Sequence, residues 1–189
     1  MPTDSHQETG TRETAAAFLS LLGAGDPDRI ADVFASEIDW YVPGSPDLPW
    51  TGQRSTRAEV PAYFRALWPA FVPGESETEI HKVLIDGPDA VILGRFTHTM
   101  KSNGRRFTTP VALHLTVDNG HITRMHLFED TYIVAKTAGV TGLSQPSADG
   151  PVQLPDGRQL SGGENVPGLR AASGPVPDAA LTRSIPCRW

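Results

Sequence analysis

The chain has 189 residues, 39% hydrophobic and 20% charged, with 16 basic against 22 acidic side chains for a net charge of −6. That length suits one domain with an appendage. The acidic balance without a Lys/Arg run argues against nucleic acid, and no apolar stretch approaches the roughly 20 residues that span a bilayer. The single cysteine, Cys187, excludes an internal disulfide and a cysteine-based metal site. The polar start from Met1 to Gly10 lacks the plan of a secretory leader, so a soluble, cytoplasmic protein is expected.

Residues 1–11 read as a polar segment and 12–140 as the folded domain. Within it, Glu13 to Leu22 carries Ala17, Phe18, Leu21 and Leu22 at helical spacing and stops at Gly23 and Gly25. Asp26-Pro27 restarts a helix, because Asp26 can cap free N–H groups and Pro27 sits where its missing N–H costs nothing; Ile30, Val33 and Phe34 give it an apolar stripe. Ile38 to Val42 reads as a short strand. After a Pro-rich loop, Thr56 and Glu59 have capping-box spacing, ahead of a third helix lined by Val60, Phe64, Leu67, Trp68 and Phe71.

Four strands follow, over Thr78 to Ile85, Ala90 to Lys101, Arg106 to Val117 and His121 to Ile133. Asp86-Gly87-Pro88, Asn103-Gly104 and Asn119-Gly120 separate them. Asn-Gly favours two-residue hairpins because both positions tolerate positive φ, so an antiparallel meander is expected. Three helices followed by such a meander predict an α+β fold, with the helices packed on one face of a strongly curved, mainly antiparallel sheet that encloses a conical pocket. Beyond residue 140 the composition shifts: residues 141–189 hold seven Gly, seven Pro and a single aromatic, Trp189. This predicts a Pro/Gly-rich tail, either extended or carrying a small hairpin from Val152 to Leu160 around Pro155-Asp156-Gly157.

The order of elements, together with particular residues, resembles the SnoaL-like branch of the NTF2-like superfamily. The segments that carry the resemblance are Leu22-Gly23-Ala24-Gly25-Asp26, Asp39-Trp40-Tyr41-Val42-Pro43-Gly44 and Pro49-Trp50-Thr51-Gly52. They continue through Val91-Ile92-Leu93-Gly94-Arg95-Phe96, Val117-Asp118-Asn119-Gly120-His121-Ile122 and Phe128-Glu129-Asp130-Thr131. The resemblance implies the cone-shaped fold and a ligand pocket within it. It leaves the reaction open, since the superfamily includes ketosteroid isomerases, polyketide cyclases, limonene-type epoxide hydrolases and binding-only members. Carried across, the isomerase tyrosine, base and protonated acid fall on Phe18, Tyr41 and Leu113. The carboxylate that cyclases and epoxide hydrolases place on the last strand falls on Leu127.

The alignment points Met125, Leu127 and Glu129 into the cone from the last strand, Asp39 and Tyr41 from the first, and Phe96, His98 and Met100 from the third. Asp39, Tyr41, His98 and Glu129 are therefore the candidate catalytic residues. Phe18, Trp40, Trp68, Phe96, Met100, Leu113, Met125 and Leu127 are the candidate substrate-binding residues, and no metal or cofactor is expected. Each polar candidate has a structural alternative, from strand bracing by Asp39 to helix capping beside Glu129. The favoured reading is a cofactor-independent acid/base enzyme, of cyclase or isomerase type, acting on a hydrophobic small molecule. An epoxide hydrolase and a non-catalytic binding protein are the alternatives. The neutral and apolar outer sheet face further predicts a homodimer.

Overall fold

The computed structural model describes residues 3–140, 152–153, 159–160 and 183–186, with side chains from residue 5 to 140. The chain divides into two units, 1–143 with 181–189, and 144–180. The first holds helices α1 (Thr3–Ala24), α2 (Pro27–Ala31), α3 (Val60–Leu67) and α4 (Thr131–Ala138). Its strands are β1 (Phe34–Val42), β2 (Gly52–Thr56), β3 (Glu77–Asp86), β4 (Asp89–Thr99), β5 (Arg106–Asp118) and β6 (His121–Glu129). In the second unit β7 (Val152–Gln153) pairs antiparallel with β8 (Gln159–Leu160); the predicted Pro155-Asp156-Gly157 turn lies outside the described residues. Strand β9 (Arg183–Pro186) returns to the first unit and pairs with Glu77–Ile80 of β3. No described helix is long and apolar enough to cross a membrane.

The sheet of the first unit is curved and unclosed, in the order β2-β1-β6-β5-β4-β3-β9. Every pairing is antiparallel except β1 with β6. The α+β expectation is met, and the differences from the predicted elements have physical causes. Helix α1 begins at Thr3 rather than Glu13 because its first turns dock through hydrogen bonds instead of an apolar stripe. The Gln7 amide donates to the Val117 carbonyl at 3.3 Å, and the Thr14 hydroxyl to the Gly120 carbonyl at 3.4 Å. The fully buried Thr11 hydroxyl lies 2.9 Å from both the Gln7 and Gly87 carbonyls.

Asp26 caps α2 as its sequence predicts, accepting from the Asp28 and Arg29 N–H groups. The helix stops at Ala31, however, and Phe34 opens β1. The Glu59 carboxylate accepts from the Ser55 and Thr56 N–H groups and the Thr56 hydroxyl, which fixes the start of the third helical segment. Strand β2 has no apolar alternation to reveal it and is held only along one edge of β1. At the other end, β6 stops at Glu129 instead of Ile133. There the Asp130 carboxylate accepts from the Ile133 N–H and turns the chain into α4.

Of the two Asn-Gly pairs, only Asn119-Gly120, with φ of 47° and 75°, makes a two-residue hairpin, between Asp118 and His121. Asn103-Gly104 sits in the longer β4–β5 loop, while Gly87-Pro88 closes β3 onto β4. Strand β3 is bulged between Ile80 and Lys82. There the β3 backbone comes so close to β4 that a Cβ on Gly94 would run into the Glu79 carbonyl oxygen. A bulge bends a strand and adds local twist, and Gly94 is what allows β4 to follow.

Candidate functional site

Helices α1 and α3 lie over the concave side of the sheet and leave a cavity of about 120 Å³ between them. Its deep wall is buried and apolar: Phe18 from α1, Phe64 from α3, Leu113 from β5, and Met125 and Leu127 from β6. Half-buried Leu22, Leu67, Trp68, Ile80 and Phe96 line its more open side. Of the twenty-three residues around it, only Glu129, His98, Tyr63, Thr78 and the two Trp indoles bring polar side-chain atoms. An apolar pocket with a few convergent polar groups is the usual form of a small-molecule site.

Glu129 is the last residue of β6, and strand alternation sends its side chain inward with Met125 and Leu127. No hydrogen bond or ion pair engages its carboxylate among the described residues. Burial, with a smaller push from the neighbouring Asp130 charge, raises its pKa to about 7. A carboxyl group poised there can give or take a proton at neutral pH.

His98 on β4 is held differently. Its Nδ1 lies 2.9 Å from the Ser76 hydroxyl and its ring stacks on Phe71 at 4.1 Å. Burial, then the nearby Arg106 charge, lowers its pKa to about 4, so the imidazole is neutral at pH 7. Glu129 stands opposite Val111, and Val111 opposite Gly94; His98 lies four residues further along β4. That offset is about 13 Å along the strand, so the two groups meet different parts of any ligand.

The expected inward turn of Asp39 and Tyr41 is corrected. On β1 the buried residues are Ile38, Trp40 and Val42, and both candidates face the other side of the sheet. The apolar alternation of that trio outweighs the family alignment. Tyr41 is 42% exposed. Asp39 accepts from Arg124 Nε at 2.9 Å and from the Gln53 amide at 3.0 Å. His126 Nε2 is also 3.0 Å from Asp39, although its angle misses that of a hydrogen bond, so this contact is one of charge when the ring is protonated. His126 and Arg124, against a smaller effect of burial, hold the Asp39 carboxyl below the usual range.

Trp40 also leaves the predicted set. It is fully buried in the core against Phe34, Tyr63 and Phe64 and does not line the cavity. Met100 follows the end of β4 and lines a separate shallow groove with Leu48 and Lys101. Phe18, Trp68, Phe96, Leu113, Met125 and Leu127 do line the cavity, as do His98 and Glu129. Arg95 lies outside the cavity and pairs with Glu79 at 2.8 Å.

Tyr63 is one of three polar cavity residues outside the expected set, with Thr78 and Trp50. It is buried on α3, and the Arg54 guanidinium lies over its ring, 4.8 Å from the centroid. The signal was available, since Val60, Tyr63 and Leu67 share one helical face.

Residues 15–125 match the family of SnoaL-like domains. No curated protein matches the sequence. Among solved structures, an NTF2-like protein from Burkholderia xenovorans LB400 is 21% identical with a TM-score of 0.60, over 69% of this chain and 97% of its own. A protein described as a SnoaL-like polyketide cyclase, from Jannaschia sp. CCS1, is 17% identical with a TM-score of 0.57, over 72% of this chain and 96% of its own. TerC, co-crystallized with polyporic acid, is 16% identical with a TM-score of 0.61, over 69% and 98%. At these identities the likenesses speak for the fold alone, and the match over more than half of the chain speaks for the family. The chain belongs to the SnoaL-like family.

Proposed function

We propose that the protein is a cofactor-independent acid/base enzyme acting on a hydrophobic small molecule, of cyclase or isomerase type, with Glu129 as its proton-transfer group. The observation that carries this reading is an unpaired carboxyl at the end of an apolar cavity, with its pKa raised to about 7. The family carboxylate is missing at Leu127, and Glu129 stands one alternation further along the same inner face. The SnoaL-like match and the cyclase-like neighbour support the class. Epoxide opening of the limonene type is disfavoured because carboxylate–arginine pairs here, Asp39 with Arg124 and Glu79 with Arg95, sit outside the cavity.

A panel of aromatic polyketide-like ketones, with epoxides as controls, tests the proposal. Turnover should follow a single ionisation near pH 7, and Glu129→Gln should lower the rate roughly 100- to 10,000-fold. Equal turnover by Glu129→Gln would overturn the assignment. Binding across the panel with turnover of none would instead favour the binding-only reading, which the loss of the carboxylate at position 127 motivates. We also propose a homodimer formed through the outer sheet face, where Tyr41, Leu84 and Phe128 are exposed by 42, 44 and 56%.

A further inference from the structure

We propose that the cavity and the shallow groove beside it are two chambers of one substrate site, parted by the indole of Trp50, and that the substrate is an elongated apolar molecule with an anionic far end. This names a substrate class for the site read above as an acid/base centre, and it rests on that reading. The first observation is one of size. A dry cavity of about 150 Å³ holds a benzene ring, and small-molecule sites usually run from about 300 to 1,000 Å³. At about 120 Å³ the cavity takes a single ring. Yet Glu129 and His98, which both line it, stand about 13 Å apart along the strands. The groove adds about 380 Å³, and the two spaces together reach the usual range.

The second observation is the wall between them. Among the described residues, Trp50 alone lines both spaces. In the cavity its ring neighbours Phe71, with centroids 6.1 Å apart, and Phe71 stacks on His98 at 4.1 Å. In the groove it stands with Leu48, Ala70, Met100 and Lys101. An indole turned aside would open a path from the His98 end of the cavity into the groove.

The third observation is how the loop that carries Trp50 is built. The Leu48 N–H donates to the Ser45 carbonyl at 3.0 Å and the Thr51 N–H to the Leu48 carbonyl at 3.1 Å. The Thr51 hydroxyl lies 2.8 and 3.0 Å from the same two carbonyls. Residues 45–51 are thus bonded to themselves, and among the described residues only Arg54 hydrogen-bonds to them from outside, at the Trp50 carbonyl. Gly44 and Gly52 flank the loop with φ of 140° and 97°, which other residues rarely adopt. A self-bonded loop between two such joints can move as one body and take Leu48 and Trp50 with it.

Charge sets the polarity of the joined site. Lys101 is exposed at the groove, and no carboxylate pairs with it among the described residues. The cavity holds an acid, Glu129. An anionic group on the substrate therefore belongs at Lys101, and the apolar end in the cavity.

The test titrates the full chain with phenol, 4-phenylphenol and 4′-hydroxybiphenyl-4-carboxylate at pH 7, followed by calorimetry. Wild type should bind 4-phenylphenol about 50-fold more tightly than phenol, as a second ring leaves water. The carboxylate should bind about threefold more tightly again. Ala70→Leu, which fills the groove from a half-buried position, should abolish the gain from the second ring and leave phenol unchanged. Lys101→Gln should remove only the advantage of the carboxylate. In stopped flow, 4-phenylphenol should associate faster with Trp50→Phe than with wild type. An undiminished preference for two rings in Ala70→Leu, or exclusion of 4-phenylphenol by wild type, would overturn the joined site. Equal association rates would overturn Trp50 as its gate, and an unchanged carboxylate advantage in Lys101→Gln would overturn the anionic end. Turnover of the ketone panel without any effect of the groove variant on binding would leave the Glu129 reading standing alone. Groove-dependent binding with Glu129→Gln as active as wild type would remove that reading and leave the joined site.

Discussion

Glu129 and His98 share a cavity but pull stability in opposite directions with pH. His98 is held below its ordinary 6.5, at about 4, so the fold binds its proton less readily than the unfolded chain. Its contribution is complete above pH 6.5 and is lost as pH falls toward 4, roughly 3 kcal/mol in all. Glu129 is held above its ordinary 4.5, at about 7, so stability is lost as pH rises from 4.5 through 7, by a similar amount. Between pH 4.5 and 6.5 the two slopes nearly cancel, and each becomes visible only when the other is removed. Urea unfolding of Glu129→Gln should therefore show up to about 3 kcal/mol of added stability at pH 8 and none at pH 4. His98→Phe should lose its acid-side decline; the Ser76 hydroxyl it strands adds only a constant offset. A Glu129→Gln gain that is the same at both pH values would mean that the carboxyl is not desolvated in the fold.

Which elements were legible in the sequence depended on what holds each of them. Helix α3, β4, β5 and β6 bury apolar side chains at regular spacing, and periodicity finds such elements. The first turns of α1 and the whole of β2 are secured by polar side chains and backbone pairing, which leave no periodic trace. At the site, the family alignment gave the inner face of β6 correctly, and Met125 and Leu127 mark that same face. It gave that of β1 wrongly, although Ile38, Trp40 and Val42 carry the same kind of mark. Tyr63 needed only the third position of a stripe already in view. What the sequence could not expose is the close β3–β4 approach at the bulge, since a lone glycine in a strand has several explanations. Gly94→Ala should lower stability by about 1–3 kcal/mol, because the clash is with backbone that cannot rotate away. Unchanged urea midpoints for this variant would show that β3 gives way freely. Asp130→Ala, which removes the α4 cap, should cost about 0.5–2 kcal/mol in the same assay.

At the scale of the whole molecule, the register lines up one row of outward side chains across five strands: Tyr41, His126, His114, Val91 and Leu84. Phe128, Ala112 and Leu93 lie in an apolar row beside it, and Asp39, Arg124, Thr116 and Asp89 in a polar row on the other side. Light scattering should give twice the chain mass, and Tyr41→Glu combined with Phe128→Glu should give the monomer; a monomeric wild type at micromolar concentration would contradict the proposed dimer. Helix α1 joins this sheet to the cavity in a different way. It is fastened by Gln7 to the end of β5 and by Thr11 and Thr14 to the hairpin turns, and further along it carries Phe18, Leu19 and Leu22 into the cavity wall. With 22 residues it is a rod about 33 Å long, and a rod transmits at one end what happens at the other. Three side-chain bonds thus hold the far end of the helix, and loosening them is expected to shorten the stay of a molecule bound in the cavity. Stopped-flow release of 2-naphthol should be faster from Thr11→Val than from wild type, with amide exchange in β5 and β6 unaltered. Identical release rates would make α1 a fixed wall, and any molecule would have to leave past Leu67 and Trp68 instead.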